Sequence, residues 1–190
     1  MALRLTLLAS GRSSSVLDVR FGDSRSLDTA GWQEVQSLRP ALAYLATAEL
    51  RYCSPSVRCR ETGDALGLAP LAQPALRDCD MGRWMGRTLQ EVAVREPQAV
   101  HAWLSDPRSS PHGGESLLAF IQRIGGWLDT RPVGEEDDWM VAVAEPAVMR
   151  AALCYVLKAP PHAYWNIDAH PLSLVSLSGR AGEWSLSLGS

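Results

Sequence analysis

Lysine is almost missing from this sequence: Lys158 is the only one, and every other basic residue is arginine. Positive charge is also not in excess, with Lys+Arg at 18 against Asp+Glu at 21 and a formal net charge of -3. A broad electropositive surface able to hold a nucleic-acid backbone is therefore not expected. The arginine bias itself reads as a GC-rich coding preference and carries no mechanism. Cysteine is sparse and scattered: Cys53, Cys59, Cys79 and Cys154 form no C-x-x-C pair. That spacing argues against a zinc knuckle, a metal site or a disulfide framework, and points to reduced thiols in the cytoplasm. Long apolar runs are missing too. Stretches such as Leu5 to Ala9 or Val141 to Ala144 fall far short of the roughly 20 residues that span a bilayer. Arg4 precedes an apolar stretch too short for a signal peptide, so no membrane association is expected.

What is present is apolar material for one substantial core, 46% hydrophobic residues in a chain of 190, which fits a single domain over residues 1–190. Leu3 to Leu8 alternates and then runs apolar before Gly11 and a serine cluster, the pattern of a buried strand ending in a loop. Asp28 is a plausible cap for a helix over Gly31 to Ala48 that Pro40 kinks or divides. Glu49 to Cys53 reads as a second strand and Ser56 to Leu66 as a helix stopped by Gly67. Asp78 to Gly86 is a loop. Helical stretches follow over Thr88 to Leu104, interrupted by Pro97, and over Ser116 to Leu128. The acidic run Glu135 to Asp138 reads as a solvated turn. Trp139 to Ala144 is the strongest strand, followed by Glu145, Pro146 and a helix through Val156. Leu172 to Leu177 and Trp184 to Leu188 suggest a terminal hairpin. Alternating strands and helices imply a three-layer α/β/α domain with a mainly parallel central sheet, whose ligand site lies beyond the carboxyl ends of the strands.

Four loops in this order resemble the histidine phosphatase superfamily, the phosphoglycerate mutase-like proteins. Ser54-Pro55-Ser56-Val57-Arg58 followed by Thr62 resembles the family's S-P-x-x-R-x-x-x-T segment. Leu76-Arg77-Asp78 with Gly82, Trp84 and Gly86 resembles its L-x-E-x-x-x-G-x-W-x-G loop. Gly113-Gly114-Glu115-Ser116 with Arg123 resembles its G-G-E-S helix start, and Trp139 to Leu153 with Arg150 its late strand and helix. The resemblance implies a phosphate-holding role for Arg58 and a proton-donating role for Asp78.

The departures from that pattern fall on the chemistry. Where family members end strand one in R-H-G, this chain has Ala9, Ser10 and Gly11. After the late strand, where a second histidine is usual, it has Glu145, Pro146 and Ala147. Transfer through a phosphohistidine needs a nucleophilic imidazole with cationic donors around the transferring group, and serine with glutamate supplies neither. Set against the resemblance, the sequence implies a family member without phosphohistidine chemistry that acts in small-ligand binding, regulation or scaffolding. The rival reading is an enzyme using Asp78 and Glu145 as acid and base on a non-phosphorylated metabolite, and a third is weak residual phosphatase or mutase activity. Expected ligand-binding residues are Ser10, Arg12, Arg58, His112 and His170, with Asp78 and Glu145 catalytic only in an enzyme. Glu145 either neutralises Arg58 or pairs with it in binding a small polar or cationic ligand. Arg150 reads as a brace for the late helix, Trp84 and Gly86 as structural, and Glu115 as a helix cap and loop anchor. No cofactor is expected. The partner is a small polar metabolite or a protein, with a homodimer also open.

Overall fold

In a computed structural model, which describes residues 3–14, 19–131 and 138–188, six strands form one sheet in the order β3-β2-β4-β1-β5-β6. β1 (Leu3–Ala9), β2 (Leu50–Cys53), β3 (Leu71–Ala72) and β4 (Trp139–Ala144) run parallel. β5 (Leu174–Arg180) and β6 (Glu183–Ser187) form a hairpin that adds to β1 antiparallel. This is the mainly parallel α/β/α arrangement that the alternation of elements implies.

Both faces of the central strands are buried, as parallel sheets require, and the pleat sorts their side chains. Leu3, Leu5 and Leu7 of β1 and Met140, Ala142 and Ala144 of β4 pack on one side with α5 (Leu117–Asp129) and α6 (Pro146–Val156). Leu8 of β1 and Val141 and Val143 of β4 pack on the other with α1 (Thr29–Leu42) and α2 (Val57–Ala65). A smaller apolar group of Met81, Trp84, Val92, Val100 and Trp103 lies under α3 (Leu89–Arg95) and α4 (Pro97–Ser105).

The boundaries depart from expectation where proline and short strands intervene. Pro40 sits inside the last turn of α1, and the chain tightens into 3-10 geometry only from Ala43 to Thr47. Asp28 caps α1 by accepting from the Gly31 amide at 2.6 Å. Glu115 does not cap α5. That role belongs to Ser116, whose hydroxyl accepts from the Ala119 amide at 3.2 Å. Pro97 divides α3 from α4 as its missing amide dictates. Glu135, Glu136 and Asp137 of the acidic run lie outside the described residues. Among the described residues, no helix is long and apolar enough to cross a membrane.

Candidate functional site

Three neighbouring parallel strands, β2, β4 and β1, end together and deliver one polar residue each. The register sets Ala9 beside Ala144 and Cys53 beside Val143. One residue further, the Ser10 amide donates to the Ala144 carbonyl and the Ser54 amide to the Val143 carbonyl, both at 2.8 Å. Glu145 follows Ala144 directly, so Ser10, Ser54 and Glu145 gather at the carboxyl edge where strand order reverses, the usual ligand position in an open α/β sheet.

Glu145 is 2% exposed and sits at the head of α6. The Ser54 hydroxyl donates to its Oε1 at 3.1 Å, while Oε2 is buried without a hydrogen-bond partner. Among the described residues no ion pair joins it to Arg58. Instead Arg58 Nη1 donates to the Ser13 hydroxyl at 3.1 Å, and that hydroxyl donates to Asp23 Oδ2 at 2.9 Å. The neutralising Arg58–Glu145 salt bridge does not form, because the guanidinium is drawn along α2 toward the loop after β1. Burial alone would raise the Asp23 carboxyl, but hydrogen bonds from Arg25 and Ser13 outweigh it and hold the group down at about 2.

The R-x-x-x-T spacing has a local cause. Thr62 Oγ1 donates to the Arg58 carbonyl one turn earlier at 2.7 Å and accepts from the Gly11 amide at 3.0 Å. One hydroxyl thus ties the loop after β1 to the helix that carries Arg58.

Asp78 lines the cleft, half-buried, and accepts from its neighbouring Cys79 amide at 2.7 Å. Burial first, and then the charge of Glu145, push its carboxyl up to about 6. The loop that carries it is held by Arg123, which donates to the carbonyls of Ala75 at 2.7 Å, Arg77 at 3.1 Å and Asp78 at 3.2 Å. Arg123 also makes two bonds of 2.8 Å to the Glu115 carboxylate. Glu115 is therefore the loop anchor, acting through Arg123. The two glycines at this contact are needed for space: a Cβ on Gly114 would stand 2.1 Å from the Asp80 carbonyl oxygen, and one on Gly82 2.2 Å from that of His112.

A cleft of about 730 Å³ opens over these residues. Ser10, Arg12, Arg58, Asp78, Glu145, Arg150 and His170 all line it. A side lobe of about 410 Å³ shares Asp23, Asp78 and Glu145 and adds Ser54. Arg12 is on the rim, its Nε 3.3 Å from Asp28 Oδ1. His170 is an exposed rim residue with Nε2 2.9 Å from Asp168 Oδ2. His112 lies elsewhere, 1% exposed against Trp84 with ring centroids 5.0 Å apart. Its Nδ1 accepts from the Gly114 amide at 3.0 Å, and burial lowers its pKa. It is a packing residue, outside the cleft lining. Trp84 is structural as expected, fully buried and 5.7 Å from both Phe21 and Trp103.

Part of the lining is aromatic, a feature that the sequence alone does not reveal. Phe21, Trp103, Phe120, Tyr164 and Trp165 supply it, with Trp103 and Trp165 edge to face at 4.8 Å and Tyr164 5.0 Å from Trp165. The thiols near the cleft are poor nucleophiles. Burial, aided by the Glu145 carboxylate at Cys59 and by Glu115 and Asp78 at Cys79, pushes both well above an ordinary thiol. Among the described residues, no group of three His, Cys, Asp or Glu is placed to hold a metal ion.

A sequence profile described as "Histidine phosphatase superfamily (branch 1)" matches residues 15–189. The chain belongs to the histidine phosphatase superfamily. Within it, the sequence is 28% identical over 181 residues to a bifunctional protein of Mycobacterium tuberculosis, covering 92% of this chain and 49% of that one. It is 29% identical over 144 residues to a glucosyl-3-phosphoglycerate phosphatase of Mycolicibacterium vanbaalenii, covering 76% of this chain and 62% of the relative. The chain thus spans about half the length of this and two further mycobacterial relatives. Among solved structures, the alpha-ribazole phosphatase of Shigella flexneri superposes with a TM-score of 0.82 at 19% identity, over 98% of this chain and 95% of that one. This superposition establishes the shared fold.

Proposed function

We propose that this superfamily member binds a small organic molecule in its cleft and does not transfer phosphate through a phosphohistidine. The observation that carries the reading is Glu145, a buried carboxylate at the end of β4 with one oxygen unpartnered and no ion pair to Arg58. Ser10 ends β1, and none of the four histidines stands at either strand end. A nucleophilic serine needs a base. Glu145 would have to serve beside a phosphate that it repels, by about 4 kcal/mol for unit charges roughly 4 Å apart at an effective dielectric near 20. The cleft is open and both carboxyl groups line it, which supports a small-molecule site, catalytic or not, over a plugged scaffold.

A second reading is favoured by Asp78. An Asp78 carboxyl raised to about 6 by burial and by the neighbouring Glu145 supports a carboxyl pair with unequal environments, as acid and base catalysis uses, here on a non-phosphorylated molecule. Retention of Arg58 and Asp78, together with relatives named as phosphatases, makes phosphoester hydrolysis the contrary outcome to test. Purified protein incubated with p-nitrophenyl phosphate and with phosphoserine is expected to release phosphate no faster than buffer. Turnover that disappears in Ser10→Ala or Glu145→Gln would overturn the proposal.

A further inference from the structure

Among the described residues, four buried side-chain atoms of the cleft lining have no hydrogen-bond partner: the Ser10 hydroxyl oxygen, and three on charged groups, Glu145 Oε2, Arg58 Nε and Arg150 Nε. All four residues line the same cavity. Buried polar atoms are satisfied in folded proteins with few exceptions, so a cluster of exceptions along one cavity calls for a bonding partner there. The three on charged groups differ in kind. Glu145 Oε2 accepts, whereas the two guanidinium nitrogens donate. A simple anion would satisfy the arginines and leave Glu145 facing like charge. A simple cation would do the reverse. Only a molecule that carries a donor and an acceptor of opposite charge serves all three.

The remainder of the cavity sets the body of that molecule. Trp103, Phe120, Tyr164 and Trp165 form a continuous aromatic wall, and the Arg150 guanidinium carbon lies 5.7 Å from the Tyr164 ring centroid. A polar end where three strands terminate, with an aromatic wall in the same cavity, suits a ligand with a charged head and an apolar body.

We propose that the cleft takes an amphoteric small molecule, with its ammonium group on Glu145, its carboxylate on Arg58 and Arg150, and an apolar or aromatic body against the Trp103–Phe120–Tyr164–Trp165 wall. Amino acids with aromatic side chains and short apolar peptides are the simplest members of this class. Arg150 is then a ligand-binding residue, beyond a brace for α6. The inference rests on the proposed function, in which the cleft is a small-molecule site free of phosphohistidine chemistry.

The test is calorimetric titration with L-phenylalanine, L-tryptophan and leucyl-phenylalanine, beside 2-phenylethylamine, 3-phenylpropanoate and inorganic phosphate. At least one amphoteric probe is expected to bind about tenfold or more tighter than either singly charged analogue. Glu145→Gln, nearly isosteric, should abolish the advantage conferred by the amine. Arg150→Gln should abolish the advantage conferred by the carboxylate, with thermal melting of both variants confirming that they fold. Equal binding of amphoteric and singly charged probes, binding of phosphate alone, or no binding at all would overturn the ligand class. Failure of the ligand class with phosphate esters left intact would leave the proposed function standing, whereas ester turnover would remove the reading on which the inference rests.

Discussion

Replacing Arg123 with alanine is expected to lower the unfolding free energy by about 3–5 kcal/mol, because it leaves a largely buried carboxylate without its partner. The Arg123 and Glu115 side chains are only 16% and 12% exposed. Three carbonyls of the Ala75–Asp78 loop lose a donor in the same step. In a domain of this size each kcal/mol lowers Tm by about 2–4 °C, so a fall of roughly 6–20 °C should appear in a melt. Glu115→Gln should cost less, since its amide oxygen can still accept from Arg123. The same loop carries Asp78, so probe binding in the cleft should weaken in Arg123→Ala even at temperatures where the variant remains folded. An unchanged melt would contradict the anchoring role.

The second large effect has the opposite sign. Asp78 is raised from its ordinary 3.8 to about 6 in the folded chain, so between those values the native state binds more protons than the unfolded state. Stability from this group is greatest below pH 4 and falls as pH rises through 6, where ionising a buried carboxyl near Glu145 costs about 3 kcal/mol for a shift of about two pH units. Asp78→Asn keeps an oxygen for the Cys79 amide and removes that penalty. The variant is expected to be more stable than the parent at pH 7 by up to about 3 kcal/mol, with the advantage vanishing toward pH 4. Asp23 acts in the other direction: held at about 2, it contributes stability above pH 3.8 that is lost as the solution is acidified toward 2. Urea titrations of parent and Asp78→Asn at pH 4 and pH 7 read the Asp78 contribution, since Asp23 is common to both proteins. A variant equally destabilised at both pH values would show that Asp78 carries no buried-charge penalty.

The strands around the site were readable because their composition leaves little choice. Trp139 to Ala144 is an uninterrupted apolar run, and a two-sided buried strand in a parallel sheet needs that pattern. Its end at Glu145, with Ser10 at the end of β1, follows directly and places the central polar groups. β3 was not readable, being two residues long with Leu71 largely exposed. The aromatic wall escaped notice for a different reason. Trp103 and Phe120 lie on helices where one apolar stripe serves both core and cleft, and periodicity does not separate them. Tyr164 and Trp165 follow Pro160 and Pro161 in a tight turn with no periodic signal. His112 has the composition of a site residue, beside Gly113 and Gly114, yet the contact of those glycines with the Asp80–Gly82 loop turns its ring inward against Trp84. For Arg150 the sequence suggests only a brace, since an arginine on a helix gives no sign of which nitrogen will be left without a partner.

The charge of Glu145 is the hinge of the functional account, and titration with inorganic phosphate tests it most directly. At pH 7 and low salt the parent protein is expected to show no measurable phosphate binding, whereas Glu145→Gln, which leaves Arg58 and Arg150 in place and removes the repulsion, should bind it about tenfold or more tightly than the parent. Phosphate binding by the parent that equals or exceeds that of Glu145→Gln would contradict the account.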